Sequence, residues 1–387
     1  MRPEVRSLLD LVAIPSVSPL CNQPVIDYAL RQLDPAVWAI DVYSYRDPNG
    51  ITKSNLVAIS GAKRRAVELA LVCHTDTVPY DPAWPEAVHP KVRGGKLYGR
   101  GSCDVKGFLA CVLAAVSQVG VARLSKPLAL ILTADEEIGC VGAKFLARQK
   151  PVRSRYTIIG EPTGMHPVRS GKGYALAEIV VRGKEAHSAF PGEGRSAIYD
   201  AARIVTRLEG VGKKLRSRKN RDFDPPCTTL NVGLIEGGTA KNIVPGECRI
   251  TAEWRPIPGQ DPEWAAELIR EALAGFDARL EVKRMDAAFE PAPGDDLATL
   301  LESLTRKKRA TVAFGTEAAH LRSLTQEAVV FGPGEMTTAH KTGEFVPLKQ
   351  LSECVECLTA VIEKVCVAAE VRAPKPGTVS LFPRRPV

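Results

Sequence analysis

Long apolar runs are missing from this chain of 387 residues. The longest, such as Phe108–Val116, fall well short of the 18 or more residues that a membrane-spanning helix needs, so we expect no membrane partner. The first nineteen residues place charges among their leucines and have no continuous apolar core before a cleavage site. They predict an amphipathic first helix rather than a signal peptide, and hence a cytoplasmic protein.

Aromatic residues are scarce, at 6%, and the excess of positive charge is small, with 52 basic against 44 acidic residues. Nucleic-acid-binding proteins usually concentrate basic residues on one surface. The densest basic stretch, residues 213–221, is more typical of a solvated helix end and loop. We therefore expect no nucleic-acid partner.

Paired cysteine motifs are also few. The ten cysteines are scattered, and Cys354 and Cys357 form the single CxxC motif, so no second pair completes a zinc site. The two lie on one face of a helix predicted at Leu348–Ala368. This spacing favours a core or surface position over a metal or redox role, and the cysteines are expected to be reduced.

Apolar runs of strand length alternate with helical patterns in the first half of the chain. Buried strands are predicted at Val67–Cys73, Pro127–Thr133 and Tyr156–Gly160, with helices at Val105–Val119 and Gly142–Arg148 between them. This repetition predicts an α/β domain with a mostly parallel, mixed sheet and flanking helices.

The pattern changes after Pro167, where strands alternate apolar and polar residues as half-solvated strands do. We predict a four-stranded antiparallel sheet with two helices, built from Tyr174–Arg182, Arg195–Leu208, Thr229–Glu236, Glu247–Arg255, Asp261–Ala274 and Arg279–Arg284. This α+β unit would be an inserted domain at 168–288, and residues 1–167 and 289–387 would form one discontinuous domain. The proline-rich tail from residue 372 is expected to be irregular.

Histidine and acidic residues follow the predicted strands, at the edge where open parallel sheets bind ligands. They are His74, Glu136, Glu137 and Glu161, together with His340 in the loop after a short strand predicted at Ala328–Phe331. Asp104, which opens the helix predicted at Val105–Val119, is expected at the same edge. Carboxylates gathered there would repel one another, and a pair of divalent metal ions would remove that repulsion. Two imidazoles and three carboxylates favour Zn2+, with Co2+ or manganese as alternatives. Taken singly, each residue also fits a structural role, such as a helix N-cap for Asp104.

Long motifs surround these residues in a fixed order. They are HTDTVP at 74–79, GRGSCDVKG at 99–107, TADEEIG at 133–139, GEPT at 160–163, HSAFP at 187–191, TTLNVGLIEGGTAKNIVPGEC at 228–248, WRPIPG at 254–259, FGTEA at 314–318 and FGPGEMTTAHKTGEFV at 331–346. With them the chain resembles the dizinc aminoacylase and peptidase family. The resemblance spans nearly the whole chain, except the tail and the basic stretch before Pro225.

The resemblance implies a ligand set for two metal ions. Asp104 would bridge them, His74 and Glu161 would complete one site, and Glu137 and His340 would complete the other. The peptide bond after Asp104 is implied to be cis.

Further roles are implied for residues around the ligands. Asp76 would orient His74, and Glu136 would be the general base. His187 would donate to the oxyanion from a second subunit, although alone it reads as a surface-loop residue. The implied substrate contacts are Asn242, Arg255 and Glu317. Arg255 alone fits a salt bridge at a strand end nearly as well, and Glu317 fits a structural role.

The resemblance implies a homodimeric hydrolase that deacetylates an N-acyl amino acid, with N2-acetylornithine as the first expectation. Acetylcitrulline, succinyl-diaminopimelate or a dipeptide is the alternative, and a succinyl group would need a further cation, for which Arg169 and Lys172 are candidates. A binding protein without catalysis is disfavoured, because neither a ligand nor the base is missing.

Overall fold

The structure, a computed structural model, describes residues 1–61 and 65–368. Its helices are α1 Pro3–Val12, α2 Gln23–Leu30, α3 Lys106–Val119, α4 Val141–Gln149, α5 Ala197–Leu215, α6 Pro262–Ala272, α7 Asp296–Thr305, α8 Ala318–Leu321 and α9 Leu348–Cys366. Its strands are β1 Trp38–Arg46, β2 Thr52–Ser60, β3 Ala66–His74, β4 Lys91–Arg93, β5 Lys96–Tyr98, β6 Leu128–Thr133, β7 Arg153–Gly160, β8 Val168–Gly171, β9 Tyr174–Arg182, β10 Thr229–Gly237, β11 Glu247–Arg255, β12 Ala278–Asp286, β13 Ala310–Val312, β14 Thr325–Phe331 and β15 Phe345–Pro347. The tail predicted to be irregular lies outside the described residues.

The larger sheet has the strand order β1-β2-β6-β3-β7-β14-β8-β13. Its central strands β6, β3, β7 and β14 are parallel, and β1 and β2 are antiparallel additions at one side. Because successive side chains of a strand point to opposite faces, Leu69 and Leu71 pack towards α3 and α9, whereas Ala70 and Val72 pack towards α4 and α8. Helices on both faces explain the continuous apolar run of β3, and the predicted mixed α/β sheet is confirmed.

The smaller sheet is antiparallel, with the order β10-β11-β9-β12. Helices α5 and α6 cover one face, and Ile204, Ile250, Trp254 and Ile269 are fully buried between them. The predicted four-stranded sheet with two helices is confirmed. The predicted boundary at residue 168 needs a local correction, because Val168–Gly171 pairs with β13 and β14 of the larger sheet.

The cysteines are free thiols, and all except Cys21 are buried. Cys354 and Cys357 face the core from α9, as their helical spacing favours. In the described part of the chain, no helix has both the length and the apolar character needed to cross a membrane.

Asp286 joins the two sheets at the end of β12. Its carboxylate lies 2.6 Å from Nζ of Lys144 on α4 and 3.4 Å from Nε2 of His320 on α8, and it accepts a hydrogen bond from Arg284. Burial would raise the pKa of Asp286, but the bonds from His320, Lys144 and Arg284 outweigh burial and lower it. One buried carboxylate therefore ties the smaller sheet to two helices of the larger one.

Asp286→Asn should lower the free energy of unfolding by about 3 kcal/mol at pH 7, because it removes a buried carboxylate and leaves the partly buried Lys144 and Arg284 without their counter-ion. The folded-state pKa of Asp286 lies below its ordinary value of 3.8. The contribution is thus present above that value and is lost as the pH falls towards the folded-state pKa. Urea unfolding of both proteins between pH 7 and pH 3 checks this, and an equal difference at both ends would contradict it. Asp277→Asn, which removes an exposed ion pair with Arg195, is the control and should cost less than about 1 kcal/mol.

Candidate metal centre

Four adjacent parallel strands deliver the predicted site residues to one edge of the larger sheet. His74 ends β3, Glu136 and Glu137 follow β6, and Glu161 follows β7. His340 lies in the loop after β14, and Asp104 precedes α3. The parallel order brings these carboxyl ends together, as the sequence predicts.

Asp104 lies at the centre of the cluster, with one carboxylate oxygen towards each histidine. Its Oδ1 is 3.1 Å from Nε2 of His74, and its Oδ2 is 3.1 Å from Nε2 of His340. The same His340 nitrogen is 3.1 Å from Oε2 of Glu137. Donor atoms of His74, Asp104 and Glu137 lie within 4.8 Å of one another, a spacing that a metal ion could bridge. The Asp104–Val105 peptide bond is cis, as the resemblance implies.

Excess negative charge marks this cluster as a cation site. Burial, with Asp104 and Glu136 nearby, raises the pKa of Glu161 well above its ordinary value. Hydrogen bonds to Asp104 and Glu137 raise the pKa of His340 to about 10. The negative charge of the carboxylates thus stabilises the protonated form of the imidazoles. It would stabilise bound divalent cations in the same way, so the donor set fits the metals that the sequence predicts.

Asp76 contacts both the His74 ring and the backbone of the segment that carries Glu136 and Glu137. Nδ1 of His74 lies 3.0 Å from the backbone oxygen of Asp76 and 3.6 Å from its carboxylate, so both acceptors orient the ring. The carboxylate also accepts hydrogen bonds from the backbone N–H groups of Glu136 at 3.0 Å and Glu137 at 3.2 Å, and from the Ser18 hydroxyl at 2.7 Å. Burial would raise the pKa of Asp76, but the bonds from His74 and Ser18 help to lower it.

Glu136 is a buried carboxyl in the same cleft. Burial, together with the charges of Glu137, Asp76 and Asp104, raises the pKa of Glu136 to about 7, although His74 opposes the shift. Positive charge from bound cations would lower this pKa again. A carboxyl that titrates near neutrality can both accept and return a proton, which a general base in amide hydrolysis must do.

A second buried carboxylate, for which the sequence predicts no role, holds the loop before α3. Glu344 accepts hydrogen bonds from the backbone N–H groups of Cys103 at 2.9 Å and Asp104 at 3.1 Å. It also forms a 2.6 Å ion pair with Arg100. Glu344 and Arg100 fall within the motifs at 331–346 and 99–107, and this was the only signal in the sequence that could have identified them. Glu344 therefore sets the position of Asp104.

The cleft beside the cluster has a volume of about 320 Å³ and contains anionic and cationic residues. It is lined by Asp104, Glu136, Glu137, Glu161, Tyr174, Arg255, Arg284, Phe314, Gly315, Met336 and His340. Arg255 is thus in the cleft, as predicted for a substrate contact. Arg284 and Tyr174 were not predicted. They come from strands of the smaller sheet, so the cleft lies between the two sheets.

Other predicted substrate contacts lie away from the cleft lining. His187 and Asn242 are both exposed and adjacent, since the Ser188 N–H donates to the Asn242 carbonyl at 3.0 Å. Glu317 is buried, and neither carboxylate oxygen has a hydrogen-bond partner among the described residues. Burial and the Glu136 charge raise the pKa of Glu317 to about 8. Glu317 therefore lies behind the residues that line the cleft, and its role as a substrate contact stays a prediction.

Arg169 and Lys172, the candidates for binding a succinyl group, are occupied by backbone carbonyls. Arg169 donates to Ala292 at 3.0 Å and Gly294 at 2.8 Å, and the buried Lys172 donates to Cys227 at 2.7 Å. These bonds stabilise the junction of the two sheets and direct both cations away from the cleft lining.

Comparison with known proteins places the chain in a family. The family model of peptidase family M20/M25/M40 matches residues 70–364. The chain is 45% identical over 376 residues to the acetylornithine deacetylase of Myxococcus xanthus, covering 94% of this chain and 98% of that protein. It is 32% identical to the acetylornithine deacetylase of Proteus mirabilis, covering 94% and 96%.

A solved structure shares the fold. The aminopeptidase PepT of Bacillus cereus superimposes with a TM-score of 0.73 at 23% identity, covering 94% of this chain and 98% of that one. The chain therefore belongs to peptidase family M20/M25/M40, whose members are metal-dependent hydrolases of amide bonds.

Proposed function

We propose that this protein deacetylates an N-acyl amino acid, with N2-acetylornithine as the substrate, and releases acetate and the free amino acid. The observation that carries the proposal is the cluster of His74, Asp104, Glu137 and His340 beside the buried Glu136. The substrate follows from the two relatives named acetylornithine deacetylase. The reaction would belong to arginine biosynthesis in the cytoplasm.

His74, Asp104, Glu137, Glu161 and His340 would hold two divalent metal ions. Two imidazoles with three carboxylates suit Zn2+ best, and Co2+ accepts the same donors. When bound, such ions supply Lewis-acid polarisation of the amide carbonyl and lower the pKa of water.

Residues of the chain would supply proton transfer and orientation. Glu136 takes the proton of the attacking water and passes it to the leaving amine. Asp76 holds the backbone of Glu136 and Glu137, so the base and a ligand keep a fixed separation. Arg255 would bind the α-carboxylate, because a planar guanidinium matches a carboxylate with two parallel hydrogen bonds.

A homodimer would complete the site with His187 and Asn242 of a second subunit. The smaller sheet favours this assembly, because its edge strand β10 exposes Leu234 and Ile235. Phe190 and Tyr199, which lie near His187 in the sequence, are also exposed. An uncovered apolar sheet edge is a liability that pairing with a second copy would remove.

An N-succinyl amino acid or a dipeptide is the alternative substrate. Arg169 and Lys172 do not favour it, since both are bonded to backbone carbonyls outside the cleft. Arg284 lines the cleft and is a candidate for binding a second carboxylate, so the alternative belongs in the substrate panel.

A substrate panel tests the proposal. Purified protein supplied with Zn2+ or Co2+ should release acetate from N2-acetylornithine faster than from acetylcitrulline, acetylmethionine and acetyllysine. Succinyl-diaminopimelate and a dipeptide are included for the alternative. A protein that hydrolyses none of the acetylated compounds would sink the proposal, and preference for the succinyl compound would select the alternative.

Removal of the metals should lower turnover by at least about 10³-fold, because the Lewis acid is lost. It should also lower the melting temperature, since ligands that bind only the folded state stabilise it. Dialysis against a chelator, with metal content measured by elemental analysis, checks both effects, and adding back Zn2+ or Co2+ should restore them. Full activity in metal-free protein would contradict the assignment of the cluster.

A further inference from the structure

Two guanidinium groups lie on one aromatic ring in the cleft. The Arg255 guanidinium carbon is 4.9 Å from the centre of the Tyr174 ring, and that of Arg284 is 4.8 Å from it. All three residues line the same cleft as the metal-binding carboxylates. The smaller sheet thus places positive charge on one side of the cleft, opposite the metal-binding carboxylates.

Arg284 keeps donors available for a ligand. Its Nε donates to Asp286, and its Nη2 lies 3.8 Å from the weak acceptor Sγ of Cys140. Arginine has five N–H donors, so this pairing leaves most of the Nη hydrogens unused. Its side chain is 22% exposed, which leaves the guanidinium accessible from the cleft.

Asp286 orients Arg284 without cancelling its charge. The carboxylate of Asp286 is shared among Arg284, Lys144 and His320. One negative charge facing several donors leaves this end of the cleft positive. Arg284 is therefore held in place and still attracts an anion.

Arg284 lies close to the segment that carries Glu136, and therefore close to the amide bond that would be hydrolysed. Its guanidinium is 3.7 Å from the point where a side chain at Gly139 would begin, and Gly139 follows the Glu136–Glu137 pair by two residues. An anionic group bound there lies beside the segment that carries the general base. An N-acyl amino acid has its α-carboxylate one carbon atom away from the amide nitrogen.

We propose that Arg284 binds the α-carboxylate of the substrate jointly with Arg255, and so determines specificity for free amino-acid carboxylates. The inference rests on the proposed function in requiring an N-acyl amino acid as substrate. The proposed function already includes a contact of Arg255 with the α-carboxylate, and the inference adds a second contact from Arg284.

The test compares N2-acetylornithine with its α-carboxamide in wild type, Arg284→Gln and Arg284→Lys. Arg284→Gln should raise KM for the carboxylate about 10–100-fold with little change in kcat, because hydrogen bonds to charged groups contribute on this scale. kcat/KM for the carboxamide should not change. Arg284→Lys should recover part of the loss, because the charge stays but the planar fork is lost. Melting temperatures of the variants verify that each one is folded.

Arg279→Gln is the matched control, since Arg279 is on the same strand and pairs with Glu281 at the surface. It should leave KM for both substrates unchanged. Equal losses on carboxylate and carboxamide in Arg284→Gln would overturn the inference and make Arg284 structural. N-acetylglutamate is assayed as a third substrate. An effect of Arg284→Gln on that compound alone would also overturn the inference, because Arg284 would then bind the side-chain carboxylate. Wild type inactive on every acetyl amino acid would instead overturn the proposed function.

Discussion

Glu136→Gln is expected to lower kcat for N2-acetylornithine about 10²–10⁴-fold, the range that general acid–base catalysis contributes. The amide side chain is almost isosteric with the carboxylate, so packing around it should not change. It cannot take a proton from water or return one to the leaving amine. KM should change little, because Glu136 acts on the proton and not on the bound amino acid.

Metal content separates a base from a ligand. Glu136→Gln should retain the metal of the wild-type protein, whereas Glu137→Gln should lose part of it, since Glu137 lies 3.1 Å from the His340 nitrogen within the cluster. Elemental analysis of both variants, alongside kcat, gives the distinction. If Glu136→Gln loses metal and Glu137→Gln does not, the two roles have been assigned in the wrong order.

The edge that carries these residues could be predicted because its signal is local. A continuous apolar run such as Val67–Cys73 identifies a strand covered on both faces, and His74 follows it directly. Parallel connection then brings successive strand ends together whatever the details of packing. The pairing of β3 with β6 and β7 follows this expectation, and so do the Asp104 contacts to His74 and His340.

The contacts that hold the backbone at Asp104 and Glu136 could not be predicted, since their acceptors come from remote parts of the chain. Glu344 accepts the Asp104 N–H across 240 residues, and Asp76 accepts the Glu136 N–H across 60. No spacing rule relates such pairs, because each depends on how loops pack. Arg284 lines the cleft for a similar reason, as the packing of the two sheets brings the end of β12 close to the segment that follows Glu136 and Glu137.

Two strands at the margins of the larger sheet, Trp38–Arg46 and Val168–Gly171, were also not predicted. In Trp38–Arg46 polar residues separate the apolar ones, and one face is largely exposed, so the pattern is weaker than that of a buried strand. Val168–Gly171 is only four residues long, and its sheet is decided by pairing with Ala310–Val312, more than a hundred residues away. Short strands hold too little sequence information to choose a partner.

His187 is a different case, because it does not line the cleft of its own chain. It is exposed on the smaller sheet's side of the molecule, and its nearest aromatic neighbour, Phe190, is 62% exposed. A catalytic donor in such a place would need a second surface opposite it. A two-fold symmetric dimer would supply one, since the same patch would then face each partner.

Subunit mixing decides whether His187 acts across such an interface. His187→Ala alone should lower kcat about 10²–10³-fold, the cost of one oxyanion donor. Unfolding and refolding His187→Ala together with Glu136→Gln in equal amounts should restore about a quarter of wild-type activity, because half of the random dimers carry one site with both residues intact. Each variant refolded alone is the control and should stay at its own low rate. If hybrid dimers form, as native mass spectrometry would show, and activity does not return, His187 does not serve the partner's site.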